Sequence, residues 1–274
     1  MNIKDLHIGI TGGTGFLGKH LVKRLKEEGI DYEILDRKKY DPYDLKSLKK
    51  FVENKNVIVH LAAQNIGAID ELVKANVLGT ACLLEAISKY GSSTKFIFIS
   101  SVQVYLKDKI YGMTKRFGEE IVKYFDGQEK IDSVILRVTN LYGSGCKPYY
   151  NSAITTFIHQ AVKGEEIVIN GDGKQERDYL YVTDAIDVII KAITVSSKRV
   201  LYLDICSDSK RSLNDVLDII RSICKKNIKV RYNKNRIDVP WRFNISSNKA
   251  KKMLKWNPKI NLEKGIEITV NSLI

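Results

Sequence analysis

The stretch ISSVQVYLKDKIYGMTK, residues 99–115, holds a serine pair and two tyrosines, each followed four residues later by a lysine: Tyr105 with Lys109, and Tyr111 with Lys115. A phenol beside an ammonium group can take a proton from a carbon-bound oxygen and return it, while a serine hydroxyl donates a hydrogen bond to the same oxygen. A phenol of ordinary pKa ~10 is a poor base at neutral pH. Lowering it by roughly three units takes ~4 kcal/mol of preferential stabilisation of the phenolate, which a nearby cation can supply. Tyr111 opens an amphipathic stretch in which Phe117, Ile121 and Val122 recur at helical spacing, so Tyr111 and Lys115 fall one turn apart on one face. Tyr105 ends the strand-like run that delivers Ser101, and Lys109 lies in a charged loop with no periodicity to bring it back. The helical pair is the catalytic candidate and Tyr105 its decoy.

Such a pair needs a rigid frame. Short apolar runs alternate with amphipathic stretches: LHIGIT before 16–28, YEILD before 44–53, NVIVHLAA before 69–90, KFIFIS before 110–125, then DSVILRVT at 132–139. Buried strands alternating with helices predict an α/β fold with a doubly wound parallel sheet, Rossmann-like. In TGGTGFLG, Gly12, Gly15 and Gly18 follow a strand and open a helix, a context that permits a tight turn and close approach of a pyrophosphate to the helix N-terminus. Asp36 closes the second strand, where a carboxylate binds the ribose hydroxyls of NAD, while Arg37 and Lys38 beside it suit the extra phosphate of NADP. Both cofactors stay open. After residue 140 the rhythm loosens through NLYGSGCKPYYN and NGDGKQERDY, then resumes with strand-like 200–205 and helix-like 212–224 and 262–272. The expected division is a dinucleotide-binding domain of 1–140 plus about 176–204, and a smaller C-terminal substrate lobe of about 141–175 plus 205–274.

Composition narrows the classes. The chain has 274 residues, 44% of them hydrophobic, enough for a large core without metal or disulfide support. No uncharged run approaches the ~18 residues of a membrane helix, and no apolar leader precedes a cleavage site. Cys82, Cys146, Cys206 and Cys224 are scattered, which suggests neither a metal site nor a disulfide framework, and the reduced cytoplasm is the expected location. The net charge of +13 is uneven: residues 208–259 carry ten lysines and five arginines against four aspartates, a local excess of +11. Such a surface attracts polyanions or a small phosphorylated ligand, or is simply a solvated face.

TGGTGFLG, HLAA at 60–63, NVLGT at 76–80, ISSVQVY, YGMTK, LRVTNLYG at 136–143, GDGKQERDYLYVTD at 171–184 and NPKINLEKGI at 257–266 together resemble an extended short-chain dehydrogenase/reductase of the NAD-dependent epimerase/dehydratase family, acting on nucleotide sugars. The resemblance implies Ser101, Tyr111 and Lys115 as the catalytic set. Around NAD(H) or NADP(H) it places Thr14, Phe16, Leu17, Leu61, Asn76 and Ser100, with Asp44 and Leu45 near the adenine and Ala62 and Ala63 beside the nicotinamide. Against a UDP- or dTDP-linked sugar it places Gln103, Asn140, Lys147, Asn151, Arg177 and Arg236. Family members commonly dimerise by pairing the helices at 69–90 and 110–125, and the apolar positions there, Leu72, Val77, Leu83, Leu84, Ile87, Phe117, Ile121, Val122 and Phe125, exceed what one sheet-facing stripe needs, so a homodimer is expected, the alternative being that all of them face the sheet.

Departures from the family pattern narrow the reaction. Sugar-nucleotide 4,6-dehydratases place an Asp-Glu pair directly after the Ser101 position; Val102 and Gln103 stand there, so dehydration is not expected. The segment from Ser101 to Tyr111 is shorter than in typical 4-epimerases. ILDRKKYDPYDLKSL runs from strand straight into helix as in dTDP-4-dehydrorhamnose reductases, and SSVQ with CKPYYNSAITTF resembles the reductase domain of capsule enzymes that make the UDP-N-acetylfucosamine precursor. GDGKQERDYLYVTD is closer to the epimerases. The expectation is an NAD(P)H-dependent reductase of a nucleotide-linked 4-keto-6-deoxy sugar for surface polysaccharide, with a UDP-sugar 4-epimerase that retains NAD as the alternative. A dinucleotide-sensing regulator binding nucleic acid through the basic segment is more distant, because such regulators lose the tyrosine and lysine kept here. Neither a membrane nor nucleic acid is expected as a partner.

Overall fold

A computed structural model describes residues 2–273 apart from 92–93, 128–130, 151, 226 and 236–242. The first half alternates as its hydrophobic pattern requires: β1 (Ile8–Thr11), α1 (Phe16–Glu27), β2 (Tyr32–Ile34), α2 (Leu45–Val52), β3 (Val57–His60), α3 (Ile69–Val73), α4 (Gly79–Tyr90), β4 (Lys95–Ser101), α5 (Ile110–Asp126) and β5 (Asp132–Val138). The second half contains β6 (Asn140–Tyr142), α6 (Ala153–Lys163), β7 (Ile167–Asn170), β8 (Glu176–Tyr181), α7 (Val182–Thr194), β9 (Leu201–Ile205), β10 (Lys210–Ser212), α8 (Leu213–Cys224), β11 (Val230–Asn233), α9 (Asn248–Leu254) and α10 (Leu262–Asn271).

Two compact units result. The first comprises Met1–Val138, Ile186–Ile205 and Asn248–Trp256; the second Thr139–Ala185, Cys206–Ser247 and Asn257–Ile274. The first is built on a six-stranded parallel sheet in the order β2-β1-β3-β4-β5-β9. Strands covered on both faces must be apolar throughout, and β1 and β3 are buried along their whole length. Phe51, Leu84, Phe96, Phe98, Val122 and Ile135 lie in one continuous core. From β1 the chain steps outward to β2 and returns to β3 on the other side of β1. The strand order therefore reverses between β1 and β3, and their C-terminal ends open the crevice in which such sheets take ligands. In the second unit β8 pairs with β6 and β10, and β7 pairs with β11. Helices α6, α8 and α10 pack on one another.

Three expectations need correction. Residues 69–90 are not one helix: Lys74–Leu78 form a turn of π-helix between α3 and α4, and the widened turn carries Asn76 into the interior. Residues 176–185 belong to the second unit, because β8 is the centre of its three-stranded sheet, whereas 248–256 join the first, where α9 packs on β9. The apolar surplus on the helices is also distributed differently. Leu72, Leu83, Leu84, Ile87 and Val122 are buried, and Val77, Ile121 and Phe125 half-buried. Ile69, Val73 and Leu78 remain in solvent, as do Met113, Phe117 and Tyr124, which follow one another at helical spacing along α5.

Candidate active site

The glycine loop and the loop after β3 meet at the point where the strand order reverses. Gly12 has φ +73°, and a Cβ there would lie 2.7 Å from the backbone nitrogen of Ala62. Only glycine satisfies both conditions. A Cβ at Gly18 would lie 2.2 Å from the Gly12 carbonyl oxygen, so α1 rises directly off the loop. Gly15 starts α1 without a side-chain cap, which leaves the first N–H groups, at Phe16, Leu17 and Gly18, for an anion. Thr14 is exposed on this loop. Asp36 and Arg37 are exposed beyond β2, and the Asp36 carboxylate accepts the Lys38 N–H at 3.0 Å. Asp44 caps α2 by accepting the Ser47 N–H at 2.8 Å, and Leu45 packs on the core. The loop is a cradle that a single added methyl group would fill, and it fits a dinucleotide.

Behind it runs a chain of hydrogen bonds whose direction can be worked out. The Thr80 hydroxyl donates to the Asn76 carbonyl at 2.7 Å, so it must accept from His60 Nε2, 3.0 Å away. Nδ1 of the neutral ring is then the acceptor for the Thr11 hydroxyl at 2.6 Å, and Thr11 Oγ1 accepts the Ala62 N–H at 3.2 Å. Burial, with a smaller contribution from the Lys115 charge, holds His60 at a pKa of about 3, consistent with neutrality. The Asn76 side chain accepts from Gln64 N–H at 2.8 Å and donates to Gln64 O at 2.7 Å and to Thr114 on α5 at 2.9 Å. Asn76 thus ties Gln64, which follows Leu61, Ala62 and Ala63 in this loop, to α5.

Ser101 ends β4 and accepts the Gln103 N–H on its Oγ at 3.2 Å, which leaves its own proton for donation. Tyr111 stands in the first turn of α5. A Cβ at Gly112 would lie 2.1 Å from the Gln103 carbonyl oxygen, so this first turn rests against the backbone just after Ser101. One turn on, Lys115 is fully buried, its Nζ 4.0 Å from the centre of the Phe98 ring. Burial lowers its pKa from 10.5 to about 7 against a weaker upward pull from Glu119. Tyr105 has a different environment: it donates to the Asp204 carboxylate at 2.9 Å and accepts from Arg137 Nη1 at 2.8 Å. Burial and Asp204 raise its pKa, opposite to what a base needs.

The sequence reading passes over Arg137, Glu119 and Asp204 on this side, and it places Ser100 against the cofactor, whereas the Ser100 hydroxyl is buried and turned to Glu119. Arg137 grips Glu119, and Ser100 donates to the same carboxylate at 2.5 Å. The signal was a polar residue interrupting the apolar runs of β5 and β9 at the same register, since Ser100, Arg137 and Asp204 are direct cross-strand neighbours.

In the second unit, Asn140 donates to the Asp178 carbonyl at 2.9 Å, and Arg177 is nearly buried on β8, donating to the Glu176 carbonyl at 2.8 Å. The Asp178 carboxylate accepts from Ser207 and Ser209. Lys147 is exposed, 5.8 Å from the centre of the Tyr150 ring. Asn151 and Arg236 lie outside the described residues. Among the described residues, no group of three or more His, Cys, Asp or Glu side chains is placed to hold a metal ion, and no helix is long and apolar enough to cross a membrane.

The family model of the NAD dependent epimerase/dehydratase family matches residues 8–202. The chain belongs to that family. A putative UDP-glucose 4-epimerase of Methanocaldococcus jannaschii is 31% identical over 299 residues, covering 96% of each chain. A UDP-N-acetyl-alpha-D-glucosaminuronate decarboxylase of Bacillus cytotoxicus is 28% identical, covering 95% of each. Among solved structures, a UDP-glucuronic acid 4-epimerase from Bacillus cereus, in complex with UDP-glucuronic acid and NAD, superposes with a TM-score of 0.86 at 25% identity, covering 98% of this chain and 99% of that one. The dinucleotide cradle at Gly12–Gly18 is the part of the site that this NAD-dependent family predicts.

The buried amine has a measurable consequence. In the unfolded chain Lys115 holds its proton up to pH 10.5, but in the fold only to about 7. Unfolding therefore takes up a proton between those values, stability rises with pH across that window, and the full cost of burial is felt below it. Lys115→Met is expected to raise the melting temperature of nucleotide-free protein, by more at about pH 6 than at about pH 9. An equal gain at both, or a loss at pH 6, would contradict the buried amine.

Proposed function

We propose that the protein is a UDP-sugar 4-epimerase that retains NAD. The observation that carries this reading is likeness over the whole chain to relatives named as UDP-sugar 4-epimerases, and the site agrees with it: the first turn of α5, which bears Tyr111, rests on the backbone just after Ser101, and uncharged Val102 and Gln103 stand where elimination would need an acid–base pair. This equipment suits reversible exchange at one carbon. The relatives with UDP-sugar 4-epimerase names support it, and they support it better than a 4-ketoreductase.

The Tyr111 phenolate takes the proton of the sugar 4-hydroxyl and later returns it to the same oxygen presented from the opposite face. Ser101 donates a hydrogen bond to that oxygen throughout, which stabilises charge developing there. Lys115 in its ammonium form favours the phenolate. The nicotinamide, when bound, supplies the acceptor and donor of hydride. Gly12–Gly18 would hold its pyrophosphate and Asp36 its adenosine ribose. Arg177, and Arg236 outside the described residues, are the candidates for the UDP diphosphate, which suits the bidentate reach of guanidinium. The rival 4-ketoreductase reading keeps the short passage from Ser101 to Tyr111, the SSVQ and CKPYYNSAITTF likeness, and a feature of the fold: β2 is the edge strand and the chain passes from it to α2 without a further strand.

Purified protein is expected to release NAD on denaturation and to interconvert a UDP-sugar with its 4-epimer without added cofactor or net consumption. Tyr111→Phe should lower turnover by at least about a hundredfold. Dependence on added NAD(P)H with a 4-keto sugar would instead establish the reductase, and loss of carbon dioxide from a UDP-uronate would establish a decarboxylase.

The exposed apolar row of Ile69, Val73, Leu78, Met113, Phe117 and Tyr124 on packed helices suits a second copy of the chain. Phe117, 59% exposed, is its largest member after Tyr124. Light scattering should give a dimer mass that Phe117→Glu reduces to a monomer; a monomeric parent would remove this proposal.

A further inference from the structure

Glu119 lies one helical turn beyond Lys115 on the same face of α5, and the two side chains are only 2% and 1% exposed. Opposite charges at this spacing and depth couple strongly. The carboxylate also faces the sheet, where Arg137 donates from Nε to Oε1 at 3.0 Å and from Nη2 to Oε2 at 2.6 Å, and Ser100 donates to Oε1 at 2.5 Å. Arg137 in turn donates to Tyr105, which donates to Asp204. The three sheet residues form one row across β4, β5 and β9, with Ser100 opposite Arg137 and Arg137 opposite Asp204. Formal charges thus alternate outward from the active-site amine: ammonium, carboxylate, guanidinium, carboxylate.

The other groups near the amine do not set its charge. Phe98 on β4 offers a ring face, and His60 on β3 is neutral. On α5 itself Tyr111 is the phenol to be served and Thr114 is uncharged, as is Asn76 on the π-helical turn. The sign of the field at Lys115 is left to Glu119 and to the guanidinium behind it.

We infer that Glu119 is a positioning residue of the proton exchange, holding Lys115 as an ammonium ion and so setting the pH at which Tyr111 gives up its proton. The inference rests on the acid–base role of Tyr111 proposed above, whichever sugar is the substrate. Burial alone pushes the Lys115 amine down, and the Glu119 charge is the opposing influence. Glu119→Gln keeps the shape but leaves the Arg137 guanidinium as the nearest formal charge, which inverts the field. Arg137→Gln does the opposite and leaves the carboxylate uncompensated. A salt bridge with only a structural role would be lost equally in both variants and would move the titration in one direction. A charge relay requires opposite directions.

The test follows the phenolate by near-ultraviolet absorbance in enzyme as purified, with matched nucleotide content, taking the difference between each protein and the same protein carrying Tyr111→Phe. Glu119→Gln is expected to move the Tyr111 titration upward by about a factor of ten in proton concentration, Arg137→Gln downward, and the double variant back toward the parent. In turnover, Glu119→Gln should lower kcat at neutral pH by about tenfold, recover at higher pH, and leave KM for the UDP-sugar unchanged. Glu119→Asp keeps the charge and should titrate like the parent, which carries the second arm should Arg137→Gln not fold. Shifts of one sign in both glutamine variants, equal shifts from Glu119→Asp and Glu119→Gln, or no shift at all would overturn the inference. Absence of any Tyr111 phenolate signal in the parent between about pH 6 and 10 would instead remove the acid–base reading on which it rests.

Discussion

The arrangement depends on one buried amine. Lys115 can favour a phenolate only if its ammonium is close and poorly screened, and poor screening means burial, which works against the charge itself. The protein resolves the conflict by placing Nζ over the face of Phe98 and one turn from Glu119, so that a ring quadrupole and a carboxylate replace part of the lost water. Ser101, at the end of β4, and Tyr111, one turn before the amine on α5, are arranged around that compromise.

Two polar networks hold the helix that carries this amine, and each contains neighbours set by strand register. Thr11 and His60 are paired neighbours on β1 and β3, and their bond continues through Thr80 to Asn76 and from there to Thr114 on α5. This line connects the glycine loop to the helix that carries Tyr111 and Lys115. The second network, Ser100–Glu119–Arg137–Tyr105–Asp204, secures the other side of the same helix. Each buried donor in these lines has an acceptor, as the cost of an unmatched buried polar group demands. Much of the polar interior is therefore scaffolding for one helix face.

Elements governed by local pattern could be read from the sequence. The glycine loop, the alternation that gives the parallel sheet, and the choice of Tyr111 over Tyr105 all rest on periods of two or 3.6 and on turn chemistry. What could not be read depends on which strands become neighbours. Tyr105 finds its acceptor 99 residues away, and Arg137 meets Glu119 only because β5 lies beside β4 under α5. The π-turn at Lys74–Leu78 leaves no signature in a hydrophobic pattern that is otherwise continuously helical. An amphipathic count does not say which residues of a broad stripe the sheet will cover; it covers Leu83, Leu84 and Val122 and leaves Phe117 outside. The epimerase reading gained over the reductase through likeness to whole chains, since the residues at the reacting centre serve both reactions.

The claim that a desolvated lysine controls this site is most directly tested on the lysine. A pH titration of side-chain carbon and nitrogen resonances in lysine-labelled, nucleotide-free protein, with Lys115 assigned by its loss in a substituted variant, reports the amine itself. The account predicts a midpoint near 7, well apart from the other lysines. A midpoint at the ordinary value of ~10.4 would mean that the amine is solvated and that the electrostatic account of the site is wrong.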